Sequence, residues 1–111
     1  MYSKYRNKRV VVDGIKFDSI KESERYSLLK VAKAKGGIKD FQMQVPFRFM
    51  IDGKLMFTYK LDFMIEFNDG SFKYEDVKPF DIKTGKYLST DVFKLKRKII
   101  EANFNIKIDL F

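Results

Sequence analysis

The chain has 111 residues, 45% of them hydrophobic, with twelve Phe and six Tyr, which suits one folded domain and excludes a disordered basic tail. Its formal net charge of +8 points to a polyanionic partner, nucleic acid ahead of a membrane surface. With no Cys and no His, disulfides, thiolate nucleophiles, imidazole bases and the usual zinc sites are excluded, leaving carboxylates, lysines, hydroxyls and a hard ion such as Mg²⁺ for any catalysis.

Residues 1–9 set Lys4, Arg6, Lys8 and Arg9 among Tyr2 and Tyr5, a basic N-terminal arm suited to phosphate contact. Residues 10–12 and 15–17 flank Asp13-Gly14 and read as a short hairpin. Ser19 opens a helix that Gly36-Gly37 closes. Residues 38–51 read mostly as strand, with Pro46 marking an edge or a bulge, and Asp52-Gly53 turns the chain into a second strand over 54–67. Asn68-Asp69-Gly70 leads to a third strand over 71–78. Residues 79–89 read as a loop carrying Lys83 and Lys86. Thr90 then caps a helix over 91–103, and 106–110 form a last strand. One mixed α/β (α+β) domain over 1–111 is expected, a central mixed sheet flanked by two helices. No apolar run is long enough to span a bilayer and no signal peptide is legible, so a cytosolic protein without membrane contact is expected.

The turn at Asn68-Asp69-Gly70 carries the chemistry. A three-residue loop with Gly at its positive-φ position sets Asp62 opposite Asp76, with side chains on one face and roughly 5 Å apart at Cβ. Lys78, two residues on, shares that face. Opposed carboxylates repel unless something positive lies between them, and a divalent cation is the evident candidate. Glu75 must face the other way; it is the alternative acid, but lacks a lysine two residues on. Ser19-x-x-Glu22 reads as a capping box in which Glu22 reaches back to the Ser19 N–H. On the second helix, Val92, Leu95, Ile99, Ile100 and Ala102 form one apolar arc with Lys96 in its middle. There Lys96 either snorkels or meets a carboxylate or phosphate. Lys94, Arg97 and Lys98 fall on the exposed side as a phosphate-contact surface.

Asp62, Asp76-x-Lys78 on the next strand and a glutamate on the preceding helix resemble the PD-(D/E)xK nuclease superfamily. The resemblance is greatest to small phage-borne endonucleases and Holliday-junction-resolvase-like members, in which Phe-x-Ser-x-x-Glu opens the first helix. Here that stretch is Phe17-Asp18-Ser19-Ile20-Lys21-Glu22, and Tyr74-Glu75-Asp76-Val77-Lys78 and Thr90-Asp91-Val92-Phe93-Lys94 are similar to the same group. The sequence departs from the pattern at Leu61, where a proline is usual, and in having Asp76 as its second acid. The resemblance implies a restriction-endonuclease-like core and Mg²⁺- or Mn²⁺-dependent hydrolysis of DNA phosphodiesters. Asp62, Asp76 and Glu22 would be the metal ligands, with Glu24 as substitute for Glu22 and the Val77 carbonyl as a further donor. Lys78 would orient or activate the attacking water, and Gln44, or Gln42 facing the same way, would be an accessory site residue. Lys83 and Lys86 join the basic arm and the second helix as DNA contacts. A homodimer acting on branched DNA fits the same analogy. The alternative is a non-catalytic basic DNA-binding module, or a subunit of a phage DNA-processing complex.

Overall fold

Two long strands joined by a tight turn organise the chain, and a computed structural model describes residues 8–111. Lys4 and Arg6 lie outside the described residues. A small hairpin, β1 (Val10–Val12) and β2 (Ile15–Phe17), leads into α1 (Ile20–Ala34). Strands β3 (Asp40–Ile51), β4 (Lys54–Glu66) and β5 (Phe72–Asp76) follow as an antiparallel meander. A second small hairpin, β6 (Phe80–Asp81) and β7 (Lys86–Tyr87), precedes α2 (Asp91–Phe104) and β8 (Ile108–Leu110). The main sheet has the order β3-β4-β5-β8, with β8 parallel to β5. The architecture is thus a mixed α+β domain with a central mixed sheet and two helices. β3 lies at the sheet's edge, which lets it carry Pro46; its register shift comes later, between Phe49 and Met50.

The turn after β4 sets the register as its chemistry demands. Gly70 takes φ +88° and donates to the Phe67 carbonyl, while the Asp69 carboxylate accepts from both the amide and the hydroxyl of Ser71. Phe63 consequently pairs with Glu75 and Met64 with Tyr74. Residues 79–89, expected as a loop, instead hold the β6–β7 hairpin, whose two-residue strands are too short for a periodic signal.

β4 divides lengthwise between two apolar clusters. Phe63 and Ile65 pack with Tyr26 and Leu29 of α1, Phe17 and Ile38. Tyr59 and Leu61 pack with Ile100 of α2 and Ile108 of β8. Asp62 sits at the seam. On α2, Ile100 of the expected apolar arc is buried, but Val92, Leu95 and Ala102 are exposed, and Phe93 and Arg97 turn inward in their place. Tertiary packing has rotated the helix from the face its apolar residues mark out.

Glu75 faces away from the Asp62 cleft, as alternation requires. It is 1% exposed and held by the Arg25 guanidinium of α1, Nε to Oε1 at 2.6 Å and Nη2 to Oε2 at 3.0 Å. The Phe111 ring lies 4.4 Å from that guanidinium. Glu75 is therefore the tie between α1 and β5. Arg25→Ala should leave Glu75 with only the half-exposed Lys73 ammonium, 3.4 Å from Oε2, and lower the unfolding free energy by about 3 kcal/mol, measured by urea denaturation. A change below about 1 kcal/mol would mean that the pair does not hold the helix to the sheet.

Candidate active site

Beyond the Phe63–Glu75 pair, side chains replace the backbone ladder between β4 and β5. The Asp62 amide donates to Asp76 Oδ1 at 2.9 Å, and the Val77 amide donates to Asp62 Oδ2 at 2.9 Å. Each carboxylate takes the place of a carbonyl that a continued ladder would offer, so the strands part with their amides satisfied. The second oxygen of Asp76 accepts from the Tyr59 hydroxyl, and Asp76 is almost wholly buried. The second oxygen of Asp62 accepts from Gln44 Nε2 at 3.2 Å.

Gln44 owes that reach to its backbone. It has φ +52° in the middle of β3, between the Met43–Phe63 and Val45–Leu61 pairs and therefore across from Asp62. A left-handed residue that is not glycine costs of order 1–3 kcal/mol and persists where surrounding structure enforces it. Gln42, paired with Met64 in ordinary strand geometry, makes no such contact among the described residues.

Glu22 comes from the first turn of α1. The Ser19 hydroxyl caps the helix by accepting from the Glu22 amide at 3.1 Å. The carboxylate reaches back to the Asp18 amide at 3.3 Å, one residue earlier than the expected Ser19 N–H. It also meets Asp62 across a cleft of about 490 Å³ that Lys78 lines as well. Asp76 does not line this cleft. The Lys78 ammonium lies 4.0 Å from the centroid of the Phe93 ring, and its carbonyl accepts from Lys21 Nζ at 2.7 Å. Both helix N-caps, Ser19 and Thr90, border the cleft, which brings two positive dipole ends to it.

Burial drives the electrostatics. It raises the Asp62 carboxyl to about 7, with Glu22 beside it adding to the rise and the Val77 amide and Gln44 opposing it. It raises Asp76 to about 6, aided by the Asp62 charge and opposed by Tyr59, the Asp62 amide and Lys78. Burial and Asp76 also push the Tyr59 hydroxyl far up, so it remains a donor, and burial lowers Lys21.

The remaining sequence candidates divide. Lys8 lines the cleft, and Arg9 stands 4.0 Å from the exposed Asp18 carboxylate. Lys83, Lys86, Lys94 and Lys98 are exposed. Arg97, expected on the exposed face, turns inward, donating from Nε and Nη2 to the Ile108 carbonyl and pairing with Glu101 at 3.9 Å. It ties α2 to β8 and is not a surface cation. Lys96 leans over the Phe57 ring at 5.2 Å, away from the cleft, without a carboxylate partner among the described residues. Glu24 is exposed on another groove. Tyr59 and Lys21 escape sequence reasoning. Tyr59 lies an odd number of positions from Asp62 on an alternating strand, and only its adjacency to Glu22 marks Lys21.

Glu22 and Asp62 are hard oxygen donors side by side, which suits Mg²⁺ or Mn²⁺. Among the described residues no three His, Cys, Asp or Glu side chains are grouped to surround an ion, and Asp76 stays engaged with Tyr59. The donor set is therefore a carboxylate pair with a third carboxylate held behind it. Among the described residues no helix is long and apolar enough to cross a membrane.

Fold and site together define a small mixed α+β domain with a carboxylate and lysine cleft where two strands part. The chain belongs to the family described as protein of unknown function (DUF1064), whose model matches residues 2–110. No curated protein and no solved structure matches it.

The raised carboxyls predict a pH dependence. Asp76 binds a proton up to about pH 6 when folded but only to about 3.8 when unfolded, and Asp62 shifts the same way. Their stabilising contribution is complete below pH 3.8 and is lost as pH rises through 6 and 7. Metal-free Asp76→Asn should therefore exceed the parent in stability at pH 8 by about 1.4 kcal/mol or more, the worth of one pKa unit. Urea midpoints across pH 5 to 8 in EDTA check this; a variant that gains nothing toward pH 8 would refute the cost of the buried charge.

Proposed function

We propose that this protein is a Mg²⁺-dependent endonuclease that hydrolyses DNA phosphodiesters. The observation that carries the reading is the meeting of Glu22 and Asp62, from a helix and a strand, in a cleft that Lys78 also lines. Buried like charges with perturbed protonation are costly to fold, and such arrangements concentrate at functional sites. The net charge of +8 and the two helix N-caps at the cleft favour an anionic substrate. The restriction-endonuclease-like core and the PD-(D/E)xK resemblance belong to the same proposal.

Glu22 and Asp62 would hold the ion, and Asp76 would join them on release from Tyr59. The bound ion supplies Lewis acidity at the phosphoryl oxygen and a more acidic water. Lys78 contributes a fixed positive charge beside the scissile phosphate, offsetting charge that builds on its oxygens. Phe93 beneath the ammonium and the Lys21 hold on the Lys78 carbonyl restrict where that charge can stand. Gln44 orients Asp62 so that one carboxylate oxygen stays on the Val77 amide.

The test is incubation of the pure protein with linear, branched and single-stranded DNA in Mg²⁺ or EDTA. Cleavage should require metal, and Asp62→Asn or Lys78→Ala should reduce its rate by about 10²-fold or more while DNA binding persists. Metal-independent binding without cleavage on every substrate would replace the enzyme by a basic DNA-binding module. The resemblance also implies a homodimer, which sedimentation of the DNA-free protein would reveal as twice the chain mass.

A further inference from the structure

The β6–β7 hairpin borders the same cleft, since Pro79 and Leu88 at its root both line it and the Leu88 amide donates to the Pro79 carbonyl at 2.8 Å. Above the root, Phe80 and Tyr87 meet edge to face with centroids 5.0 Å apart. Lys21 Nζ lies 5.1 Å from the Tyr87 centroid, fastening the hairpin to α1. The turn is built to hold its shape. Asp81 accepts the Lys83 amide on its side chain and the Gly85 amide on its carbonyl, and Gly85 takes φ +69°. This ordered tip presents Ile82 to solvent, 87% exposed, next to Lys83 and on the same turn as Lys86, with Phe80 46% exposed below it.

A single exposed apolar residue ordinarily needs no explanation. A branched aliphatic side chain at the tip of a braced hairpin that also carries two exposed lysines, beside an anion-favouring cleft, is different. The lysines match a phosphate backbone, and the aliphatic tip matches a base step that it can part, as apolar wedges do in proteins that kink DNA. A protein partner would call for a wider apolar face than one side chain supplies. We infer that the β6–β7 hairpin is a DNA-distorting element that inserts Ile82 between stacked bases beside the cleft, with Lys83 and Lys86 on the flanking phosphates. This rests on DNA being the ligand of the cleft, as proposed above. It adds that the protein favours sites where stacking is already weak, because opening a sound base step is costly.

The experiment uses the full chain in EDTA, so that cleavage plays no part. DNA carries 2-aminopurine at the branch of a four-way junction or at the centre of a linear duplex, with binding followed by anisotropy. The expected result is at least a twofold fluorescence rise on the junction, abolished in Ile82→Ala, while binding to linear duplex stays within about twofold. Lys83→Ala with Lys86→Ala should reduce the salt slope of binding by about 1.8, roughly 0.9 for each phosphate contact. An equal rise with Ile82→Ala, no rise with the parent, or no binding of either DNA overturns the inference. Mg²⁺-dependent cleavage of linear duplex by Ile82→Ala separates the two proposals. Its presence alongside an unchanged rise sinks the wedge alone, and failure of the parent to cleave linear, branched or single-stranded DNA alongside an Ile82-dependent rise sinks the nuclease alone.

Discussion

Everything at the site depends on two carboxylates that accept backbone amides where β4 and β5 separate. Asp76 takes the Asp62 amide and Asp62 takes the Val77 amide. Without those bonds the ladder would end on unpaired buried donors, each costing on the order of 1–3 kcal/mol. With them the strands part cleanly, and the opening becomes a cleft. The same bonds fix the direction of both carboxylates, so the chemistry of the cleft and the termination of the sheet are one feature.

That arrangement is bought with charge. Asp62 lies at the seam of the two apolar clusters with Glu22 beside it, and burial disfavours ionisation of both aspartates. Further from the cleft the same protein handles buried charge differently. Glu75 is almost wholly buried, yet its bidentate partner Arg25 neutralises it with Lys73 beside them. The contrast between a compensated carboxylate on one side of β5 and under-compensated ones on the other separates scaffold from site. Asp13, Asp52 and Asn105 take left-handed backbones at turns and a helix end, whereas Gln44 does so in mid-strand, where it brings its amide to Asp62.

The cleft also gathers elements far apart in the chain. The N-caps of α1 and α2, the end of β5 and the root of the β6–β7 hairpin all border it. Lys21 links several of them, bonding the Lys78 carbonyl and lying over the rings of Tyr87 and Phe111. A lysine with its ammonium in such a place is a structural bolt whose positive charge also faces whatever enters.

Local chemistry made much of this legible. The Asn68-Asp69-Gly70 turn has one favourable geometry, so the register that brings Asp62 to Asp76, and the outward turn of Glu75, could be counted from the sequence. Ser19 and Thr90 cap their helices because the pattern of a capping residue and an apolar run is local. Most of the failures are long-range. The inward face of α2 joins Phe93 and Arg97 to Ile100 against β4 and β8, so the partner surfaces kept Ile100 of the helix's own apolar arc and left Val92 and Leu95 outside. Glu22 missed its expected cap by one residue, Tyr59 took hold of Asp76, and Gln44 adopted a backbone its sequence does not favour. The chain alone therefore determined its longer elements, its pairing register and the identity of its charged pair, because turns and caps act over a few residues. Only tertiary structure decided which charges are buried, which are paired and which face the cleft, because desolvation depends on neighbours that the chain brings together from afar.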